Sequence, residues 1–183
     1  GPQTGHNVVT GGVTFCYSQF GSGAQAGART HISRFVYVNP ILALNEGAEL
    51  KSLGLTSIFQ SLTVEDRAPI VTPFHVAANR IRERARGDRA HGSAGQGVGE
   101  TARDVLAGDE TLILRAGDLR QPEVVIRKLR KIQEHKRAQL QDLREQTRRH
   151  ADLVPHWTAL DAGDLYSVTE AYSQFARSGL SLV

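Results

Sequence analysis

Two glycine-rich segments hold the residue types best suited to chemistry. The first is Gly1-Pro2-Gln3-Thr4-Gly5-His6, which runs into the apolar Asn7-Val8-Val9. The second is His91-Gly92-Ser93-Ala94-Gly95-Gln96-Gly97-Val98-Gly99-Glu100. Glycine lets backbone N–H groups approach a phosphate closely and tolerates positive φ. A helix starting just after such a loop adds a favourable dipole for an anion. The glycines at 95, 97 and 99 lack the dinucleotide-binding spacing, and no Walker A motif occurs in the chain. On residue types alone the second segment is either a phosphate cradle or a plain surface loop. His6 has the same ambiguity. An imidazole that titrates near neutrality can pass a proton, or it can simply hold a turn. None of the seven histidines falls in a metal-ligand spacing such as H-E-x-x-H. The single cysteine, Cys16, sits in Val13-Thr14-Phe15-Cys16-Tyr17 and reads as a buried, inert thiol.

The elements that must position these segments follow from composition and pattern. At 183 residues, 40% apolar and 22% charged, the chain has an ordinary globular balance and enough length for one core. No run approaches the ~18 apolar residues of a membrane span. One cysteine forms no internal disulfide, which points to a reducing compartment and a cytoplasmic location. Net charge is +3, unevenly spread: Arg120 to Arg149 carry ten Lys/Arg against four Asp/Glu. We read that stretch as a solvated face, or a positive field near anionic nucleotides, rather than a nucleic-acid site. The chain has no methionine, opens in mid-motif and stops on Gly179-Leu180-Ser181-Leu182-Val183, so both ends read as cut from a longer polypeptide.

Pattern places a hairpin at 7–20 with its turn at Gly11-Gly12. Strands are expected at 31–38, 55–64 and 111–114, with a short strand or turn at 68–71. Helices are expected at 40–53, at 73–86 with Thr72 as N-cap and Gly87 beyond its end, at 122–153 until Pro155 breaks it, and at 161–177. Strands mixed with helices predict an α/β fold, with a sheet-and-loop part over 1–119 and a helical part over 120–178.

Taken together, the segments resemble the adenylosuccinate synthetase family. Gly1 to Val9 is similar to that family's G-x-N-A-G-H-T-[LV]-V segment, and Val36-Tyr37-Val38-Asn39-Pro40 to its G-N-G-V-V-x-x-P strand end. Ala68 to Ala77 resembles P-x-[IV]-x-x-Y-H-x-x-L/A, and Arg84 to Gly99 resembles its I-G-T-T-G-R-G-I-G-P loop. The match is good over 1–100 and weaker afterwards, where Ala116-Gly117-Asp118-Leu119 and the long helices keep the arrangement. The resemblance implies part of a mixed-sheet, GTP-dependent ligase of purine biosynthesis. In that family GTP phosphorylates the 6-oxygen of IMP, and the amine of aspartate displaces the phosphate. It further implies Mg²⁺ with the Gly5 carbonyl as a ligand, His6 as catalytic acid, Gln3 to His6 along the IMP base, Ser93, Ala94 and Gly95 at its phosphate, and a homodimer. The 183-residue chain alone is expected to be inactive.

The departures open two alternatives. The family's asparagine is Gln3 here, its second loop threonine is Ala94, its arginine is Gln96 and its proline is Glu100. Gly108 stands where an arginine reaching the partner subunit's nucleotide is expected, with Arg103 as a nearby substitute. A paralogous ligase with another acceptor, or a non-catalytic nucleotide-binding protein on the same fold, would fit these changes.

Overall fold

The structure is a computed structural model that describes all 183 residues, Gly1–Val183. It is mixed α/β, as the pattern predicts. Strands β1 (His6–Thr10) and β2 (Val13–Tyr17) form an antiparallel hairpin pairing His6 with Tyr17 and Thr10 with Val13. Strands β3 (Thr30–Ile32), β4 (Leu62–Val64) and β5 (Ser181–Leu182) form a small parallel sheet in the order β3-β4-β5. Helices α1 (Pro40–Ser52), α2 (Pro73–Ala85), α3 (Val98–Ala107), α4 (Pro122–Gln139), α5 (Arg144–Thr147), α6 (Val154–Ala162) and α7 (Leu165–Ala176) surround it.

Helix starts follow local chemistry. The Asn39 side chain accepts from Leu42 N–H at 3.1 Å, and Pro40 opens α1. Thr72 caps α2 in a reciprocal box with His75. Asp164 caps α7 by accepting from Tyr166 and Ser167. Inside α1, Glu46 is buried and its carboxylate accepts from the backbone of Ser18, Gln19 and Phe20. That fixes the exit of the hairpin, and so the direction of its first strand. One core of 29 residues runs from Tyr17 to Phe175, through the sheet and the inner faces of α1, α2, α4, α6 and α7.

Several expectations are corrected. The predicted 31–38 strand ends at Ile32, because Val36 N–H bonds Ser33 O and turns the chain. Only an isolated Val38–Ile70 bridge continues the pairing. In 55–64, Leu55, Ile58, Phe59 and Leu62 repeat at helical spacing. The chain forms a 3₁₀ turn at Ile58–Ser61 before the short β4. No strand forms at 111–114, where the Asp109 carboxylate accepts Thr111 N–H at 2.9 Å and sets a turn. The long helix ends at Gln139, where Leu140 turns into the core, and Pro155 opens α6 rather than ending a helix. Cys16 is exposed, not buried. Phe15 and Tyr17 take the inner face of β2, stacked at 6.2 Å, which leaves Cys16 on the outer face of a two-stranded ribbon.

Candidate functional site

The second glycine-rich segment folds back over α2 and leads into α3. Gly97 makes the reversal at φ +78° and serves as the N-cap of α3. A Cβ there would lie 2.7 Å from the Val76 backbone nitrogen and 2.8 Å from the His75 carbonyl carbon, so only glycine lets the loop sit this close. Three α2 side chains hold the loop. Arg80 donates to the carbonyls of Gly95 and Ala94, both at 3.2 Å. Asn79 donates to Ser93 Oγ at 3.2 Å and accepts from Gly97 N–H at 3.3 Å. Glu83 accepts from Gly92 N–H at 2.8 Å. Burial works against the Glu83 charge, but backbone hydrogen bonds from Ser93, Gly92 and His91 and the bond from Arg86 hold its carboxyl below the usual range.

Beneath this loop lies a buried charged network that sequence reading missed. His75, Glu100, Asp104 and Lys136 are all buried, and Lys136 is wholly inaccessible. Lys136 donates to Asp104 Oδ1 at 2.6 Å and to Glu100 Oε2 at 3.3 Å. His75 Nε2 bonds Asp104 Oδ2 at 3.0 Å, while its Nδ1 accepts from Thr72 N–H at 3.0 Å. Arg82 and Arg103 flank Glu100 at 3.1 and 2.9 Å. Burial pushes the His75 imidazole down, and the Lys136 charge adds to that, outweighing the carboxylates; the ring stays neutral with its proton on Nε2. Burial alone would raise Asp104, but the hydrogen bonds from His75 and Lys136 reverse the shift and hold its carboxyl below 3.8.

A pH dependence follows. The unfolded chain protonates His75 as pH falls through its ordinary 6.5, whereas the folded chain resists. The unfolded state then binds more protons, so stability is full above 6.5 and falls below it. His156, also lowered by burial and by Arg80, acts in the same direction. Urea titrations between pH 7.5 and 5.5 should show a falling midpoint, with His75 contributing a slope of at most ~1.4 kcal/mol per pH unit. His75→Gln should flatten that slope. An unchanged slope would mean that the ring is not held neutral.

The loop walls a cavity of about 300 Å³. Gln3 and the run Ser93, Ala94, Gly95 face it together, with Arg103 and Gly99 at the start of α3. Of the predicted site residues, therefore, four converge although some 90 positions separate them. Thr4, Gly5 and His6 do not line it. Thr4 and Gly5 are exposed on the approach to β1, where a Cβ on Gly5 would meet Cys16 Sγ at 2.7 Å. His6 is half-buried with its ring edge-on to Tyr17 at 6.4 Å, and its Nε2 is buried without a hydrogen-bond partner. Gly108 is the αL residue ending α3 at φ +76°, exposed, where an arginine would be strained. Arg103 reaches the cavity but is shared with Glu100.

A family model described as adenylosuccinate synthetase matches residues 1–172. The chain belongs to the adenylosuccinate synthetase family. It is 31% identical over 144 residues to the adenylosuccinate synthetase of Neisseria gonorrhoeae (strain ATCC 700825 / FA 1090), covering 78% of this chain and 33% of that protein. It is 30% identical over 141 residues to that of Histophilus somni (strain 129Pt), covering 76% and 32%. The Haemophilus influenzae (strain PittEE) enzyme matches at 31% over 141 residues, covering 76% and 32%. The chain thus spans about a third of the length of the curated relatives it matches.

No three His, Cys, Asp or Glu side chains are grouped so as to bind an ion. The Gly5 carbonyl would be one of about six oxygens around Mg²⁺, which takes most of the others from water and substrate phosphates. No helix is long and apolar enough to cross a membrane.

Proposed function

We propose that this chain carries the acceptor-nucleotide subsite of a GTP-dependent ligase that joins aspartate to the 6-position of IMP, forming adenylosuccinate. The observation that carries the reading is the convergence of Gln3 with Ser93, Ala94 and Gly95 on one cavity. Gln3 offers an amide to a base edge, and the Ser93 hydroxyl and the start of α3 offer donors to a phosphate. The part over 1–119 holds these loops, and the helical part over 120–178 supports them from below through Lys136. GTP, Mg²⁺, aspartate, a second subunit and a cytoplasmic setting belong to the same reading, which concerns a longer protein than this chain.

Ala94 and Gly108 favour a second reading, in which the acceptor is another nucleotide. Ala94 offers no hydroxyl and Gly108 no guanidinium, so IMP would be held more weakly than in relatives with those groups. Calorimetry of IMP against the chain separates the two. On the first reading Ala94→Thr tightens IMP by about 0.5–1.5 kcal/mol, the net worth of one hydrogen bond, and Gln3→Ala weakens it. If neither change moves the affinity, IMP is not the ligand of this cavity.

A further inference from the structure

Beside the loop cavity lies a groove of about 930 Å³, between the end of α2 and the segment from α5 to α6. Five arginines line it against three carboxylates: Arg80, Arg84, Arg86, Arg89 and Arg149 facing Glu83, Asp88 and Asp152. The pairing inside the groove decides which charges remain free. Arg86 is committed to Glu83 at 2.9 Å, and Arg84 lies 3.6 Å from Asp152. Arg80 spends its donors on the Gly95 and Ala94 carbonyls. Arg89 and Arg149 make no ion pair and no side-chain hydrogen bond. They come from segments about sixty residues apart and meet across one concave surface. The imidazoles of His150 and His156 stand on the same wall. Asp88 is the one carboxylate there without a cation partner.

We propose that this groove is a second anion site, distinct from the cavity at Gln3 and Ser93, that takes a small molecule bearing several phosphate charges. Two unpaired guanidiniums offer fork-shaped donors matched to phosphate oxygens. The volume lies within the range of small-molecule sites and exceeds what one phosphate fills. Concavity favours a compact ligand over a nucleic-acid strand, which needs an extended basic track with stacking aromatics. The only aromatic rings at the wall are the two imidazoles.

The test uses the 183-residue chain and inorganic phosphate, pyrophosphate and tripolyphosphate as probes at low salt. Titration is followed by calorimetry and by fluorescence of the single tryptophan, Trp157, next to His156. Tripolyphosphate should bind saturably and more tightly than phosphate. Arg89→Ala/Arg149→Ala should weaken it at least tenfold, and Arg149→Ala alone should weaken it measurably. Both side chains are exposed and bond nothing, so circular dichroism should be unchanged. Arg103→Ala, in the neighbouring cavity, should leave tripolyphosphate binding as it was. The proposal is overturned by the absence of saturable binding, or by equal binding to the double variant. It is equally overturned if the loss follows Arg103 instead, or if a single-stranded oligonucleotide binds more tightly with affinity rising with its length.

Discussion

Replacing Lys136 with alanine should destabilise the fold by about 3–5 kcal/mol, the usual effect of removing one partner from a buried ion pair. Lys136 is fully inaccessible and is the only cation reaching both Glu100 and Asp104 from below. Without it, Asp104 keeps only the neutral His75 and its carboxyl rises toward protonation. A chain of this size should lose roughly 6–20 °C of melting temperature at pH 7, at 2–4 °C per kcal/mol. The second variant isolates the cause. Lys136→Met combined with Asp104→Leu removes both charges and fills the space, so it should recover a large part of the loss, because replacing a buried pair by apolar groups is often neutral. If the double variant is no more stable than Lys136→Ala, the loss comes from packing and not from a stranded charge. The effect reaches the site as well. Asp104 and Glu100 both lie on α3, whose first turn edges the Gln3 cavity, so the cation beneath them fixes that helix under the loop.

This network also explains what the sequence concealed. The hairpin, α1 and α2 were legible from their punctuation: Gly11-Gly12 at the turn, Pro40 at the start of α1, and Thr72 with Pro73 at the start of α2, whose apolar spacing agrees. The last helix was legible by its apolar spacing, but it begins at Leu165 and not at 161, because Asp164 caps it and Asp161 and Ala162 belong to α6. Helix α3 was not. Its buried residues are Glu100, Thr101 and Asp104, while Leu106 is almost wholly exposed. A hydropathy reading inverts its two faces, since a charged face is buried only where partners from distant segments, here His75 and Lys136, satisfy it. The stretch 122–153 reads as one helix because charge and leucine repeat throughout, yet the chain turns at Leu140. The candidate site was half legible. Family resemblance brought out the two loops, and the fold joins Gln3 to Ser93, Ala94 and Gly95. Arg80, Asn79 and Glu83, which hold the loop, carried no signal beyond sitting on the outer face of α2, where arginines usually face solvent.

His6→Asn should lower kcat by roughly 10²–10⁴-fold in the full-length ligase proposed above, with nucleotide affinity largely kept. The motive is chemical as well as positional. His6 opens β1 directly after the first glycine-rich loop, and its Nε2 is buried without a hydrogen-bond partner. An orphaned polar atom of that kind is costly unless something meets it. The ring stands outside the cavity wall formed by Gln3 and Ser93; on the reading proposed above it would serve the reacting end rather than the phosphate end. A histidine that merely held the turn would behave differently. Its neighbour is Tyr17, edge-on at 6.4 Å, and asparagine would forgo only that contact, worth about 0.5–1.5 kcal/mol. A structural role therefore predicts a slightly lower melting temperature and kcat within tenfold of the parent. A proton-transfer role predicts the same small drop in melting temperature and a collapsed kcat. Steady-state kinetics beside thermal melts of the same preparation read both quantities at once. If kcat stays within tenfold while the melt shifts, His6 is a packing residue of the hairpin and the catalytic acid lies elsewhere.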